Sequence, residues 1–331
     1  MSKKYNWGIL APGSIARKFT SDLKLLPQAN LYAVGSRSLE RAQKFAEEFG
    51  AERYYGSYEE LATDPHVDII YIASPHVRHY PDSMLCLENG KSVLCEKPVA
   101  MNAAQFRNMR EIARKKGVFF MEALWTRFLP SFLKCLELIS DGEIGDIRLI
   151  DSDFCFNAPY NIEGRLFNLM LGGGSLLDIG IYPVFLALEL AGKPAKIQAM
   201  ATFDKTGVDN SCSMLFAHHN GILSVLFSSI ITKGRTETII HGSKGQIRLN
   251  REWHIPTSVD LLPDTENAKH FSFKEPGFGY QYEAEEVMNC IGKGYLQSEV
   301  FSWDKSLELI TTLDTIRSIA GITYPIELEK L

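Results

Sequence analysis

The sequence lacks any close pairing of cysteines. Its six cysteines are spread singly between Cys86 and Cys290, with no Cys-x-x-Cys spacing among them. Disulfide frameworks and cysteine zinc sites need such sets, so these residues are interpreted as reduced and mostly buried thiols. His76 and His79 form a His-x-x-His pair, but no clustered carboxylate or cysteine accompanies them. We therefore expect no metal site.

The sequence also lacks a strong excess of charge and a long uninterrupted apolar run. The net charge is −5, which gives no electrostatic reason to expect nucleic acid or an anionic membrane as a partner. The most apolar stretch, residues 176–192, is interrupted by acidic residues, glycine and proline, and is too short and polar to cross a bilayer. Residues 1–5 lack the apolar core of a signal peptide. These absences predict a cytoplasmic protein.

The length of 331 residues favours two domains. Residues 1–124 alternate short β-rich runs with helical patterns, an order typical of a parallel, doubly wound sheet. Within this first domain we predict strands at residues 5–10, 31–35, 68–73, 92–95 and 118–121, and helices at residues 15–26, 39–49, 77–89 and 103–116.

Residues 125–331 have a different pattern of predicted elements, in which several strands follow one another with short turns between them. This order predicts a large and mainly antiparallel sheet, so the whole chain is assigned to the α/β class. The last helices of the chain are free to pack back on the first domain. Within the second domain we predict strands at residues 147–156, 195–203, 211–217, 221–230, 236–241 and 245–249, helices at residues 130–140, 174–190, 282–291 and 305–320, and an irregular surface loop at residues 261–279.

A glycine-containing turn follows the first predicted strand and opens the first helix. Gly13 allows close approach of a pyrophosphate, and the amides near Ser14 and Ile15 face that anion with the helix dipole behind them. Ala11 stands where the dinucleotide fingerprint has its first glycine, and its β-carbon weakens the match. Such turns also occur in α/β proteins that bind no nucleotide.

The end of the second strand strengthens the nucleotide interpretation. Ser36 and Arg37 lie about 20 residues past the turn, where an acidic residue binds a ribose 2′-hydroxyl and an arginine accommodates a 2′-phosphate. No carboxylate is present there, so the sequence favours NADP over NAD. A solvated arginine at the start of a helix remains the alternative interpretation of Arg37.

Lys97 is the first candidate for chemistry. It follows the apolar run that ends at Cys95, and a lysine there projects from the carboxyl edge of a parallel sheet, where open α/β folds bind their ligands. An isolated Glu-Lys-Pro sequence is more simply explained as a surface lysine before a turn. Asp178 and Tyr182, four residues apart on one face of a predicted helix, favour a catalytic role.

Several motifs, in the same order and over nearly the whole chain, resemble the Gfo/Idh/MocA family of oxidoreductases. They are the turn at residues 11–16, Ala73-Ser74-Pro75 with His79 after it, Glu96-Lys97-Pro98, and residues 172–182. Residues 122–128, residues 165–167 and a tyrosine at position 182 are most similar to the branch that contains dihydrodiol and D-xylose dehydrogenases. The resemblance implies a Rossmann domain, a carboxy-terminal α/β domain with an open sheet, and homodimers formed through that sheet. It also places Ser74, Pro75, His79, Glu96 and Lys97 among the cofactor-binding residues.

Hydride transfer needs a proton partner for the substrate oxygen. A phenol ionises near pH 10 unless a neighbouring cation stabilises its anion. Tyr182 is therefore assigned as general acid/base and Lys97 as the cation that assists it and binds the substrate oxygen, although the two roles could be exchanged. Asp178 is expected to bind a substrate hydroxyl, and Trp125 and Phe154 to provide apolar walls.

We thus expect an NADP-dependent oxidoreductase that acts on a sugar-like or diol substrate. A ketose or anhydroketose reductase would use the same residues in the opposite direction. A dinucleotide-binding regulator without turnover is the alternative outside the enzymes, but such a protein is expected to lose the lysine or its partner.

Overall fold

The computed structural model describes residues 4–325, which form two compact units. The first unit comprises residues 4–125 together with Glu275–Leu307. The second comprises Thr126–Lys274 together with residues 308–325.

The first unit contains a parallel sheet of six strands, in the order β3-β2-β1-β4-β5-β6. Its strands are β1 (Tyr5–Leu10), β2 (Ala29–Gly35), β3 (Arg53–Tyr55), β4 (Ile69–Ile72), β5 (Ser92–Glu96) and β6 (Phe120–Ala123). The helices between them are α1 (Ser14–Leu23), α2 (Leu39–Phe49), α3 (Tyr58–Thr63), α4 (His76–Glu88) and α5 (Ala103–Lys116). This architecture confirms the predicted Rossmann fold.

The strand order reverses at β1, which pairs with β2 on one side and with β4 on the other. In open α/β sheets, ligands bind outside the carboxyl ends of the strands at such a reversal. All four residues of β4 are buried, as expected for a parallel strand covered on both faces. The segments that follow β1 and β4 are therefore the first places to look for a site.

Sequence patterns did not predict β3 and α3, which are three and six residues long. A capping box begins α3, because Ser57 Oγ accepts from Glu60 N and the Glu60 carboxylate accepts from Ser57 N. The Ser-x-x-Glu spacing in the sequence is typical of a helix start and could have indicated α3. Leu61 packs where Gly8 and Gly35 have no side chain, since a β-carbon on Gly35 would lie 2.9 Å from it.

The second unit contains a sheet of eight strands, in the order β14-β13-β12-β11-β7-β10-β9-β8. Only the β7–β10 pair is parallel, so the predicted, mainly antiparallel sheet is confirmed. The strands are β7 (Ile147–Cys155), β8 (Pro194–Phe203), β9 (Asp209–His218), β10 (Leu223–Ser229), β11 (Thr238–Gly242), β12 (Gly245–Leu249), β13 (Val259–Pro263) and β14 (Lys269–Phe271).

The prediction of an irregular loop over residues 261–279 was wrong in part. β13 and β14 pair with each other within and beside this segment, for example Asp260 with His270. Their strands are five and three residues long, which is too short for a clear alternation against the surrounding proline and glycine.

The helix predicted over residues 174–190 has two parts. A π-helical turn, Leu176–Gly180, precedes α7 (Ile181–Ala191), and α6 (Pro130–Ser140) lies earlier in the same unit. By length and composition the segment Leu169–Ala191 is apolar enough to cross a membrane. However, 83% of its most apolar stretch is buried inside the protein. Such burial is typical of the core helix of a globular protein.

Two helices end the described chain, α8 (Gln281–Gly292) and α9 (Trp303–Ala320). In the first unit, Asp22 of α1 accepts hydrogen bonds from the amides of Phe278 and Tyr280, at 2.9 and 2.8 Å. The indole of Trp303 donates to the carbonyl of Phe120 at 2.8 Å. These contacts attach a late segment of the chain to the parallel sheet.

Candidate functional site

The turn after β1 leaves space where a nucleotide would lie. Ala11 adopts the glycine-like φ of +67°, and its amide donates to Gly35 O at 3.0 Å. Among residues 4–325, a β-carbon on Gly13 would meet only one atom within 4 Å, the carbonyl oxygen of Ala11. Gly13 caps α1 without a side-chain hydrogen bond, and the first turn has no acidic residue. The amides of Ser14 and Ile15 at this helix start can therefore receive an anion.

Arg37 and Ser36 follow β2 at the edge of the same turn. Ser36 is buried and its Oγ accepts from Ser38 N at 3.2 Å, whereas Arg37 is exposed. Burial raises the pKa of Tyr58, and a hydrogen bond from Arg37 opposes that rise. The site therefore carries a cation where a ribose-binding carboxylate would otherwise stand.

The segment after β4 supplies Ser74, Pro75 and His79. Ser74 Oγ is buried and finds no hydrogen-bond partner among residues 4–325, so it is available to a ligand. Pro75 is the cap of α4. The His79 ring nitrogens lie 2.6 Å from Pro98 O and 2.8 Å from Ser74 O, and burial lowers the pKa of this imidazole. Both ring nitrogens lie against backbone carbonyls, so His79 connects the segment after β4, at Ser74, with the segment after β5, at Pro98.

Lys97 follows β5, beside a buried carboxylate at the end of that strand. Glu96 accepts a short hydrogen bond from the Tyr71 hydroxyl and a second one from Lys97 N at 3.3 Å. Burial raises the pKa of Tyr71 well above its usual value, and the Glu96 charge adds to the rise. Tyr71 stacks on Phe19 with 3.7 Å between ring centres, which fixes the hydroxyl that holds Glu96. The Lys97–Pro98 peptide bond is cis.

Glu122 is a site residue that sequence reasoning missed. It lies on β6, directly across from Cys95 on β5, and accepts from Val99 N at 2.9 Å. Burial raises its pKa to about 7, while hydrogen bonds and the charge of Lys97 oppose the rise. Its position inside the apolar run of residues 119–124 could have indicated a buried carboxyl group. Buried acids rarely lack a specific role.

Trp125 ends the first unit and stacks on Tyr280, with 4.1 Å between ring centres and 4° between planes. Glu283 of α8, in the same unit, is fully buried, and neither carboxyl oxygen has a hydrogen-bond partner within the described chain. Burial, and then the charges of Glu96 and Asp22, raise its pKa well above the usual range.

In the second unit, a Gly172-Gly173-Gly174 turn leads into the π-helical turn. A β-carbon on Gly173 would lie 2.6 Å from the carbonyls of Arg165 and Leu166, so the missing side chain lets the two segments touch. Gly174 has a φ of +121°, and its β-carbon would lie 2.1 Å from Asp209 Oδ1. Gly173 and Gly174 thus allow close packing around the helix start.

Asp178 lies in the π-helical turn and forms a bidentate pair with Arg165. The two distances are 2.6 Å from Nη1 to Oδ1 and 3.2 Å from Nη2 to Oδ2. The Asp178 side chain is only 4% exposed, whereas that of Arg165 is 54% exposed. Sequence reasoning singled out Asp178 but missed its partner.

Tyr182, in the first turn of α7, belongs to a cluster of rings. Its ring centre lies 5.5 Å from that of Phe154 on β7 and 5.4 Å from that of His254. The His254 ring stacks on Phe154 at 3.8 Å, and Trp253 meets Tyr182 edge-on at 6.5 Å. The structure therefore brings the predicted Phe154 and Tyr182 together. It adds Trp253 and His254, which no local motif distinguished.

Asp209 holds the start of the π-helical turn. It is fully buried, and its Oδ2 accepts from Leu176 N at 2.7 Å. Burial raises its pKa from 3.8 to about 7. Between these values the folded protein retains a proton that the unfolded chain has lost. Asp209 therefore stabilises the fold below about pH 4, and this contribution is lost as the pH rises through about 7.

We expect Asp209→Asn to reduce the loss of unfolding free energy between pH 5 and pH 9 by about 2 to 3 kcal/mol, because the amide does not titrate. Urea denaturation at both pH values measures this difference. The exposed Asp264→Asn is the matched control and should keep the wild-type pH dependence. An unchanged slope in Asp209→Asn would contradict a titrating carboxyl at this position.

Each unit therefore gathers its own set of residues. In the first, the carboxyl ends of β1, β2, β4 and β5 carry the turn, Arg37, Ser74 and Lys97. In the second, Arg165, Asp178, Tyr182 and Phe154 surround one helix start. Among residues 4–325 no group of three or more His, Cys, Asp and Glu is arranged to hold a metal ion, and all six cysteines are buried and free.

Two protein-family models match the chain. The first, described as an oxidoreductase family with an NAD-binding Rossmann fold, matches residues 5–124. The second, described as the GFO/IDH/MocA C-terminal domain, matches residues 132–248.

Curated relatives match over almost the full length. Trans-1,2-dihydrobenzene-1,2-diol dehydrogenase of Mus musculus is 38% identical over 329 residues, covering 96% of this chain and 98% of the relative. The protein of the same name from Homo sapiens is 35% identical over 333 residues, with 96% and 98% covered.

Solved structures share the fold. The 3-ketoreductase KijD10 from Actinomadura kijaniata, in complex with NADP and TDP-benzene, has a TM-score of 0.88 at 24% identity and covers 96% of this chain and 98% of its own. Aldose-aldose oxidoreductase from Caulobacter crescentus, complexed with glycerol, has a TM-score of 0.88 at 23% identity and the same coverage.

Proposed function

This chain belongs to the Gfo/Idh/MocA family of NAD(P)-dependent oxidoreductases, and we propose that it is an NADP-dependent enzyme that oxidises or reduces a sugar or a cyclic trans-diol. In this proposal residues 1–124 bind the cofactor, and residues 125–331 bind the substrate and form a dimer. The substrate reacts at a carbon that bears a hydroxyl or a carbonyl group.

The observation that carries the proposal is the carboxyl edge of the parallel sheet. It presents an uncapped helix start at Gly13, an unpartnered buried hydroxyl at Ser74 and a cation at Arg37. These groups suit the pyrophosphate, an oxygen of the cofactor and a 2′-phosphate, respectively. When bound, NADP supplies or accepts the hydride at C4 of its nicotinamide.

Three side chains act on the substrate in this proposal. Tyr182 donates a proton to the substrate oxygen or removes one from it, and the Lys97 ammonium stabilises the charge that develops there. Asp178, held by Arg165 through two hydrogen bonds, accepts a hydrogen bond from a neighbouring substrate hydroxyl. Glu96 accepts a hydrogen bond from the Lys97 amide, and the charge of Lys97 acts on the buried Glu122 carboxyl.

Binding and turnover together test the proposal. Titration with NADPH and NADH, followed by nicotinamide fluorescence, should show tighter binding of NADPH. A screen of pentoses, hexoses, inositols, cyclic diols and ketoses in both directions should then show turnover of a sugar or a trans-diol. Turnover of ketoses alone would favour the reductase, and tight cofactor binding without any turnover would favour a regulator.

Arg37→Asp should reverse the cofactor preference. It removes the cation that faces the 2′-phosphate and adds a like charge, so the ratio of kcat/KM for NADP to that for NAD should fall about 100-fold. Steady-state kinetics with both cofactors measure this ratio. The matched control is Arg107→Asp, an exposed change on α5, which should leave the ratio unaltered. Equal use of both cofactors by the wild type would count against the role of Arg37.

The proposed dimer interface is one face of the second sheet. Register places Leu215 opposite Val225 across β9 and β10, and both are exposed, at 41% and 46%. Met200 and Leu223 lie on the same face and are 76% and 47% exposed. Contiguous exposed apolar residues mark interaction surfaces. Sedimentation velocity should therefore give a dimer for the wild type and a monomer for Val225→Asp, and a monomeric wild type would reject this interface.

The proposed location is the cytoplasm, where six free thiols stay reduced.

A further inference from the structure

Glu122 lies beside the segment of the first unit that carries Lys97. It is only 2% exposed. Strand register places it opposite Cys95, two residues before Lys97, and its Oε1 accepts from the amide of Val99, two residues after Lys97, at 2.9 Å. One buried acidic residue therefore meets the chain on both sides of the lysine.

The two oxygens of the Glu122 carboxyl group have different surroundings. Oε1 is bonded to Val99, whereas Oε2 is buried and finds no hydrogen-bond partner among residues 4–325. Burial raises the pKa of Glu122 from 4.5 to about 7, against the opposing effects of the Val99 amide, the Ser306 hydroxyl and the Lys97 charge. Near pH 7 the protonated and the ionised forms are therefore both populated.

Three titratable neighbours of Glu122 come from β5 and the residue after it. The charge of Glu96 adds to the rise of the Glu122 pKa, and the charge of Lys97 opposes it. Burial raises the pKa of the Cys95 thiol well above its usual value, so this thiol stays protonated near pH 7. The two charged neighbours thus act on Glu122 in opposite directions.

Two helices bring further titratable groups to this region. On α9, Asp304 accepts from Arg110 at 3.2 Å, and Lys305 Nζ donates to a backbone carbonyl at 3.2 Å. From α4, His79 binds Pro98 O at 2.6 Å, and burial lowers the pKa of its imidazole below the usual 6.5. The imidazole is therefore neutral at pH 7 and does not account for a titration at that pH.

The protonation state of Glu122 affects how firmly the Lys97 segment is held. A backbone amide binds an ionised carboxylate about twice as strongly as a neutral acid. Loss of the proton from Glu122 therefore strengthens its bond to Val99. Catalysis depends on orientation, since a displacement of about 1 Å in an active site can lower the rate about 100-fold.

We propose that Glu122 is a positioning residue, which fixes residues 96–99 when it loses its proton and thereby activates Lys97, so that the enzyme is regulated by pH. The inference rests on the function proposed above and adds a regulation to the same site. Glu122 acts through the backbone of the segment and needs no contact with the substrate or the cofactor.

Glu122→Gln tests this role, because it keeps the size of the side chain and an oxygen for Val99 but cannot ionise. We expect the ionised form to have a kcat about 10-fold higher than the protonated form. The ratio of kcat for the wild type to that for Glu122→Gln should then rise from about 2 at pH 6 to about 9 at pH 8. Other titrating groups cancel in this ratio.

Steady-state oxidation of D-xylose with NADP measures the ratio. KM and the dissociation constant of NADPH should stay within about threefold of the wild type, since the change acts on orientation. The exposed Glu111→Gln on α5 is the matched control, and its ratio should be about 1 at every pH.

The amide of Val99 tests the contact without any turnover. In protein labelled with 15N-valine, with the signal assigned by Val99→Ile, its chemical shift should change with a midpoint near pH 7 in the wild type and not in Glu122→Gln. If Glu122→Gln does not fold, a Val99 midpoint that differs from the midpoint of kcat in the wild type by more than about one pH unit would overturn the inference.

Turnover with a constant ratio, or a Val99 amide that does not titrate, would overturn the role of Glu122 and leave the proposed function standing. Failure of the wild type to turn over any substrate of the screen would overturn the proposed function instead. The Val99 titration would then decide whether Glu122 controls residues 96–99.

Discussion

Lys97→Met is expected to lower kcat about 1,000-fold while NADPH still binds with a dissociation constant within about threefold of the wild type. Methionine has a similar length and no charge. The substrate oxygen would lose the cation that stabilises its developing charge, whereas the turn at Gly13 and the cation at Arg37 would remain to bind the cofactor. Stopped-flow turnover and nicotinamide fluorescence measure the two quantities separately.

The pKa of Glu122 provides a second measurement of the effect of Lys97→Met. Burial raises the pKa of Glu122 to about 7, and the charge of Lys97 is one of the effects that oppose this rise. Removing the ammonium should raise the Glu122 pKa further, which infrared difference spectroscopy of the carboxyl band can follow. Lys115→Met, an exposed change on α5, is the matched control and should keep full activity. Retention of kcat within about threefold in Lys97→Met would exclude a catalytic role for the lysine.

Tyr182→Phe should lower kcat about 100-fold to 1,000-fold, with little change in NADPH binding or in thermal stability. The substitution removes only the hydroxyl. The ring contacts with Phe154 and His254 depend on the aromatic ring and should persist. Steady-state kinetics, a fluorescence titration and a melting curve measure the three properties.

Tyr160→Phe is the matched control for this change. Its hydroxyl is exposed and donates to Asp204 at 3.0 Å, so its removal should leave kcat unaltered. Because Lys97 and Tyr182 are proposed to act on one oxygen, the double variant should be little worse than the poorer single variant. Full additivity of the two losses would show that they act independently, and an unimpaired Tyr182→Phe would remove the phenol from the mechanism.

The first domain could be predicted from the sequence in most of its parts. Its strands are apolar runs of four to seven residues separated by helical patterns, and turn residues such as Gly13 mark the boundaries. These patterns are local, because the residues that form each of them lie close together along the chain. The misses, β3 and α3, are too short for periodicity to distinguish them from a loop.

The candidate site was only partly predictable. Asp178 and Tyr182 stand four residues apart within one motif, so a local pattern singled them out. Arg165 pairs with Asp178 from a separate segment, and Asp209 supports the same helix start from the beginning of β9. Arg165 was noted only as part of residues 165–167 in the family resemblance, and Asp209 carries no signal of its own, because a lone aspartate in a sequence is most often a solvated surface residue.

What the residues alone determined was most of the order of strands and helices, the glycine-containing turn after β1 and the lysine after β5, since these depend on neighbours along the chain. Tertiary structure decided which distant side chains meet. Phe154 and His254 stack although they are far apart in sequence, because β7 and the segment after β12 are brought together by the sheet. Burial, which sets the pKa of Glu122 and Asp209, also arises only when remote segments pack and exclude water.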